Sequence, residues 1–234
     1  MHVFRLCFEK HEKHADLKRK SPEQFICEEQ DFSGGVLQMT ILRPILTFAH
    51  ALLESALKPG DIAVDCTMGN GKDTLLLASL VGERGHVFAF DIQASAIENT
   101  RRLLERNDIS AVGVTLTQAG HESLQEHISG ETLARCKAAV FNLGYLPGGD
   151  KQICTAPHTT IAAIEALLAA IAPGGLIVLV VYPGHSQGGQ EAAELPKYCE
   201  SVPREVANVI VYRILNSPTQ PPFVIALEKN EQAD

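Results

Sequence analysis

Apolar positions along the chain recur with two different periods. Between residues 41 and 57, Leu42, Ile45, Ala49, Leu52 and Ala56 return at three- and four-residue steps, which marks one face of a helix. Pro44 suits the first turn of that helix, and Lys58-Pro59-Gly60 ends it. Residues 61–65, 86–91, 112–116, 137–141, 176–181, 206–215 and 223–228 are short apolar runs with β-branched and aromatic members, and they read as strands. Helical patterns lie between them at 73–81, at 94–106 with Ile97, Leu103 and Leu104 turned inward, and at 159–172. The run L-I-V-L-V-V at 176–181 is apolar throughout, as expected of a strand covered on both faces. Regular alternation of strand and helix predicts an α/β protein: one doubly wound sheet with helices on both sides. Ligands of such sheets sit beyond the carboxyl ends of the strands, so the chemistry belongs at the strand tips.

The first strand tip carries the strongest signal. The sequence D-I-A-V-D-C-T-M-G-N-G-K-D, residues 61–73, is an apolar run that ends in Asp65 and breaks into a turn at Gly69 and Gly71. A helical segment follows at once. Glycines there let the backbone pass close to a ligand. Twenty residues after Gly71 the second strand ends in Asp91, placed to accept hydrogen bonds from a ribose diol. A dinucleotide site asks for G-x-G-x-x-G, with a pyrophosphate at the helix N-terminus. Here Thr74 stands at the third glycine, and Asp65 and Asp73 flank the loop. Two carboxylates repel a pyrophosphate but attract the amino and sulfonium groups of S-adenosylmethionine. The loop therefore reads as a site for S-adenosylmethionine rather than NAD.

The fourth strand ends in F-N-L-G-Y-L-P-G-G-D-K, residues 141–151, which faces the same crevice. Asn142 offers a carbonyl oxygen to an amine N–H, and Tyr145 offers a ring face on which a base can stack. The order Asn-x-x-Tyr is similar to the N-P-P-Y loop of amino-group methyltransferases acting on nucleic acids, which turns the acceptor nitrogen's lone pair toward the methyl group. Beyond the fifth strand, Tyr182 and His185 approach from the far side, and His121 follows the third strand where adenine is usually reached. An alkylamine must lose a proton before it attacks. Asp150, His185 and bulk water are the candidates to take it, and the residues do not choose among them.

Composition narrows the picture. With 45% apolar and 21% charged residues in 234, the chain can build one good core. A formal charge of −8 argues against bulk, non-specific nucleic-acid binding. Six scattered cysteines show neither zinc nor disulfide spacing, and no apolar run reaches membrane-spanning length or resembles a signal peptide, so a cytoplasmic protein is expected. Residues 1–38 lack sustained periodicity and are expected to be an N-terminal extension, with the functional domain at 39–234. The basic cluster at Lys18, Arg19 and Lys20 is a possible contact for RNA phosphates or a solvated run.

Five motifs in order, D-C-T-M-G-N-G-K-D-T, F-A-F-D-I-Q, F-N-L-G-Y-L-P-G-G-D-K, L-I-V-L-V-V-Y-x-G-H and P-P-F-V-I-A-L-E-K, resemble one bacterial family from about Met39 to Lys229. It is the tRNA 5-(aminomethyl)-2-thiouridine methyltransferases, formerly labelled rRNA methylases. The resemblance implies a single-domain, Rossmann-like class I methyltransferase fold with a mostly parallel seven-stranded sheet. It further implies S-adenosylmethionine as donor, methylation of the aminomethyl nitrogen on a tRNA wobble uridine, and a homodimer. The candidate cofactor contacts are Asp65, Thr67, Met68, Gly69, Asn70, Gly71, Asp73, Thr74, Asp91, Ile92, Gln93, His121 and Asn142. Those at the reacting centre are Asn142, Tyr145, Asp150 and His185.

Overall fold

The computed structural model describes residues 41–109, 113–150, 152–184 and 186–231. The expected extension at 1–38, with its Lys18–Lys20 cluster, lies outside them, as does His185. The strands are β1 (Ile62–Asp65), β2 (His86–Asp91), β3 (Val114–Gln118), β4 (Cys136–Asn142), β5 (Leu176–Val181), β6 (Ala207–Tyr212) and β7 (Phe223–Lys229). They form one seven-stranded sheet in the order β3-β2-β1-β4-β5-β7-β6. All neighbours pair in parallel except β7, which runs antiparallel to both β5 and β6. Strand order reverses between β1 and β4, so the ligand crevice opens there.

The helices are α1 (Ile45–Ala56), α2 (Lys72–Val81), α3 (Ala94–Arg106), the short α4 (Leu124–His127) and α5 (Gly130–Leu133), α6 (Pro157–Ala170) and α7 (Ser186–Ser201). Side-chain alternation along the strands divides the core between two faces. Val178 and Val180 of β5 join α1 and α2 through Ala49, Leu53 and Leu77. Ile177, Leu179 and Val181 join α6 and α7 through Ile164, Leu167 and Leu195. The continuous apolar run of β5 is thus buried by helices on both sides.

The strand and helix types agree with the sequence pattern, and the differences are instructive. Helix α1 starts at Ile45 and not before, because Pro44 sits at its cap with an extended ψ of 153° and Leu42 is left exposed. A residue before proline disfavours the helical region, which removes residues 41–43 from the helix. Strand β3 lies two residues beyond the expected 112–116, since pairing to β2 carries Gln118 level with Asp91. Helix α6 lies two residues earlier than expected: Pro157 takes its first turn and Ile171 leaves it at ψ 150°. Helix α7 was not anticipated. Its Ser-Gln-Gly-Gly opening and internal Pro196 look like loop signals, yet Glu191, Leu195 and Cys199 recur every four residues and are buried. No helix among the described residues is long and apolar enough to cross a membrane.

Candidate functional site

The glycine loop between β1 and α2 is held by groups from two neighbouring strands, β2 and β4. Cys66 N–H donates to the Val140 carbonyl of β4 at 2.8 Å, and Met68 N–H to the Phe90 carbonyl of β2 at 2.9 Å. Gly69 N–H donates to Asp91 Oδ2 at 3.0 Å. Gly71 has φ +85°, and a Cβ there would lie 2.9 Å from the Thr100 Cα. Only glycine fits between the loop and α3.

Asp65 is fully buried at the end of β1. Its Oδ1 accepts the Thr67 N–H at 3.1 Å and its Oδ2 accepts the Thr74 hydroxyl at 2.6 Å. Burial pushes its carboxyl up to about 7, with the charge of Asp73 adding to the effect. Asp65 and Thr74, both expected at the cofactor loop, are bonded to each other, and together they close the turn. Asp91 is half-buried, its Oδ1 accepting the Gln93 N–H at 2.9 Å, and burial raises its pKa against the pull of its hydrogen bonds. Ile92, next to it, is 55% exposed, and its carbonyl accepts from Gln118 Nε2 at 3.3 Å.

His121 lies behind the loop on the turn after β3. Its Nδ1 donates to the Cys66 carbonyl at 3.0 Å, and its ring packs edge-on against Phe141. A carbonyl only accepts, so the neutral ring carries its proton on Nδ1 and leaves Nε2 as a bare acceptor. Burial keeps the ring neutral by lowering its pKa. Nε2 is buried and has no hydrogen-bond partner among the described residues.

The β4 loop meets the glycine loop from the other side of the switch point. Asn142 N–H donates to Thr67 Oγ1 at 2.7 Å, and Asn142 Nδ2 donates to Asp73 Oδ2 at 3.2 Å. Asn70 Nδ2 reaches the Pro147 carbonyl at 3.2 Å and accepts from Asn99 at its Oδ1. Leu146 is buried in a small cluster with Met68, Ala89 and Ala96. Tyr145 is 37% exposed beside it and bridges to Cys154. Asp150 is exposed and turned into its own loop, accepting the Gln152 N–H at 2.9 Å. Two groups that the sequence did not single out complete the surroundings. His50 of α1 bonds Asp73 Oδ1 through Nε2 at 2.9 Å. Buried Glu191 of α7 accepts from Thr155 and Thr160, and Thr155 in turn accepts the Gly144 N–H. His50 is the one titratable residue in the run I-L-T-F-A-H-A-L-L, whose only other polar member is Thr47.

Comparison with known proteins places the fold and the family. Residues 87–228 match the family described as "Putative rRNA methylase". A protein of Arabidopsis thaliana named tRNA (mnm(5)s(2)U34)-methyltransferase, chloroplastic, is 37% identical over 192 residues, covering 77% of this chain and 68% of that protein. A solved structure from Clostridium thermocellum with the same description as the family is 38% identical, with a TM-score of 0.76 over 80% of this chain and 98% of that one. A Streptococcus mutans protein, described as a "putative methyltransferase" and solved with SAH, is 32% identical, with a TM-score of 0.72 over 81% of this chain and 99% of that one. With its β4 loop joined to the glycine loop across the switch point, and with that match over 142 of its residues (87–228), this chain belongs to the rRNA-methylase family of methyltransferases.

Proposed function

We propose that this protein transfers a methyl group from S-adenosylmethionine to the aminomethyl nitrogen of 5-aminomethyl-2-thiouridine at the tRNA wobble position. The observation that carries the reading is the fixed amide of Asn142. An ionised carboxylate can only accept, so Asp73 engages the Asn142 NH₂ and leaves Oδ1 as the acceptor that an amine N–H needs.

The residues around the glycine loop suit the cofactor. Asp73 and Asp91 supply negative charge for a ligand with a sulfonium and an ammonium group, and Asp65 adds to it as it ionises at about pH 7 and above. The bare Nε2 of His121 is a buried acceptor without a partner among the described residues, and the close passage at Gly71 lets a backbone approach that no side chain would permit. In this reading Asp91 accepts from the ribose, Ile92 and Gln93 flank the adenine with His121, and Thr67, Met68, Gly69, Asn70, Gly71 and Thr74 form the cradle. When bound, S-adenosylmethionine supplies a sulfonium methyl that is already electrophilic. The protein's work is therefore alignment and exclusion of water. Asn142 turns the amine, Tyr145 stacks on the uridine base, and Asp150, His185 or bulk water takes the amine's proton.

The division into an extension at 1–38 and a methyltransferase domain at 39–234 belongs to the same proposal, as do the homodimer and the cytoplasmic location. The test is methyl transfer from labelled S-adenosylmethionine to tRNA bearing the aminomethyl uridine, followed by nucleoside analysis. Label at the methylaminomethyl nucleoside is the expected result; label on ribosomal RNA alone would redirect the reading.

A further inference from the structure

His50 is the member of this cluster with no part in the reading above. It lies on α1, distant in sequence from the loops, and its Nε2 stands 2.9 Å from Asp73 Oδ1. The other oxygen of the same carboxylate accepts from Asn142 Nδ2 at 3.2 Å. Imidazole, carboxylate and carboxamide therefore form one chain, with side-chain exposures of 24% for His50 and 10% for Asp73. The backbone end of Asn142 is pinned separately by Thr67 Oγ1 at 2.7 Å. Its side-chain end depends on Asp73, and Asp73 depends on His50 for its other oxygen.

Resting on the proposed function, we infer that His50 is a positioning residue for methyl transfer: through Asp73 it holds the Asn142 amide with Oδ1 presented to the attacking amine. The chemistry of the three groups admits one arrangement. Nε2–H of His50 donates, the carboxylate accepts at both oxygens, and the Asn142 NH₂ must be the donor at the far end. Burial lowers the His50 pKa, but the hydrogen bond and charge of Asp73, with Glu54 on the same helix, outweigh it and raise it overall. A charged imidazole strengthens its bond to the carboxylate; a neutral one still donates from Nε2. Without His50, the carboxylate loses one of its two anchors and turns about its own axis. The Asn142 amide then follows or flips, and a flipped amide aims N–H groups at an amine that needs an acceptor.

The role predicts a split between rate and binding. In His50→Ala the single-turnover rate of methyl transfer to aminomethyl-bearing tRNA falls roughly tenfold to a hundredfold, the scale of a small misalignment. The dissociation constant of S-adenosylmethionine and the KM for tRNA stay within about twofold. His50→Gln, whose side-chain amide also offers an N–H toward Asp73, restores most of the rate. In an Asp73→Asn background, His50→Ala adds little further loss, because the chain is already broken. An undiminished rate in His50→Ala overturns the inference. So does equal loss in the Ala and Gln variants, or a loss of cofactor affinity that matches the loss of rate. Wild-type protein that transfers no methyl to this tRNA overturns the underlying reading and this inference with it, whereas active wild type with an unaffected His50→Ala overturns this inference alone.

Discussion

Gly69 and Asp91 are 22 residues apart in sequence, and the N–H of the first donates to Oδ2 of the second at 3.0 Å. The tip of β2 therefore holds the turn that follows β1. The same carboxylate is the proposed ribose acceptor, so one side chain shapes the loop and meets the ligand. Asp91→Ala removes a charge-assisted hydrogen bond, a loss of about 1.5–3 kcal/mol, and is expected to weaken S-adenosylmethionine binding roughly tenfold to a hundredfold. Calorimetry on the folded variant checks this, and unchanged affinity would remove Asp91 from the site.

Gly71→Ala is expected to damage the loop itself. The left-handed φ of +85° disfavours any side chain, and the added Cβ meets the Thr100 Cα at 2.9 Å, a backbone atom that no rotamer can move. A fall in Tm of roughly 5 °C or more follows for a chain of this size. Thr100→Ala should not rescue it. Thermal denaturation of the single and double variants decides the point.

Asp65 ties stability to pH. Burial holds its folded pKa at about 7 against an ordinary 3.8. Between those values the native state keeps a proton that the unfolded chain releases, so the stabilisation is present at low pH and lost as pH rises through about 7. His50, also raised, acts with the same sign. Asp65→Asn removes the carboxyl's contribution while keeping a side chain that can bond Thr67 and Thr74. Its stability relative to wild type should climb between about pH 4 and pH 7 and level off above, by an amount on the order of a few kcal/mol. A constant difference across that range would mean that Asp65 stays ionised when folded.

Asn142 separates alignment from binding. Asn142→Ala removes the acceptor for the amine and is expected to cost roughly two to four kcal/mol of transition-state stabilisation with cofactor affinity unchanged. Asn142→Asp sets a second carboxylate where Nδ2 now stands 3.2 Å from Asp73 Oδ2 and also favours the protonated, non-nucleophilic amine. It should be at least as impaired. Single-turnover methylation and calorimetry on both variants test this; equal losses of rate and affinity in the alanine variant would move Asn142 into the cofactor site.

Truncation tests the domain boundary. A chain beginning at Met39 is expected to keep its Tm and its turnover within a small factor. Loss of activity would make residues 1–38 part of the site.

Much of this protein was legible in its residues because local periodicity reports burial. The all-apolar L-I-V-L-V-V of β5, the Gly69–Gly71 turn after Asp65 and the acid at the end of β2 each carry their meaning within a short window. Tertiary structure decided what depends on distant partners. Helix α7 escaped notice because its glycines and Pro196 argue locally for a loop, while its buried Glu191, Leu195 and Cys199 argue for a helix only against α6 and the sheet. The bonds from Thr67 and Thr74 to Asp65 form on a carboxyl of 0% exposure, which no spacing rule contains. The pairing of His50 with Asp73 spans 23 residues and two helices, α1 beneath β5 and α2 after the glycine loop. A hydrogen bond between side chains acts over about 3 Å, so only packing of those helices on one face of the sheet could bring the imidazole, the carboxylate and the Asn142 amide into one chain.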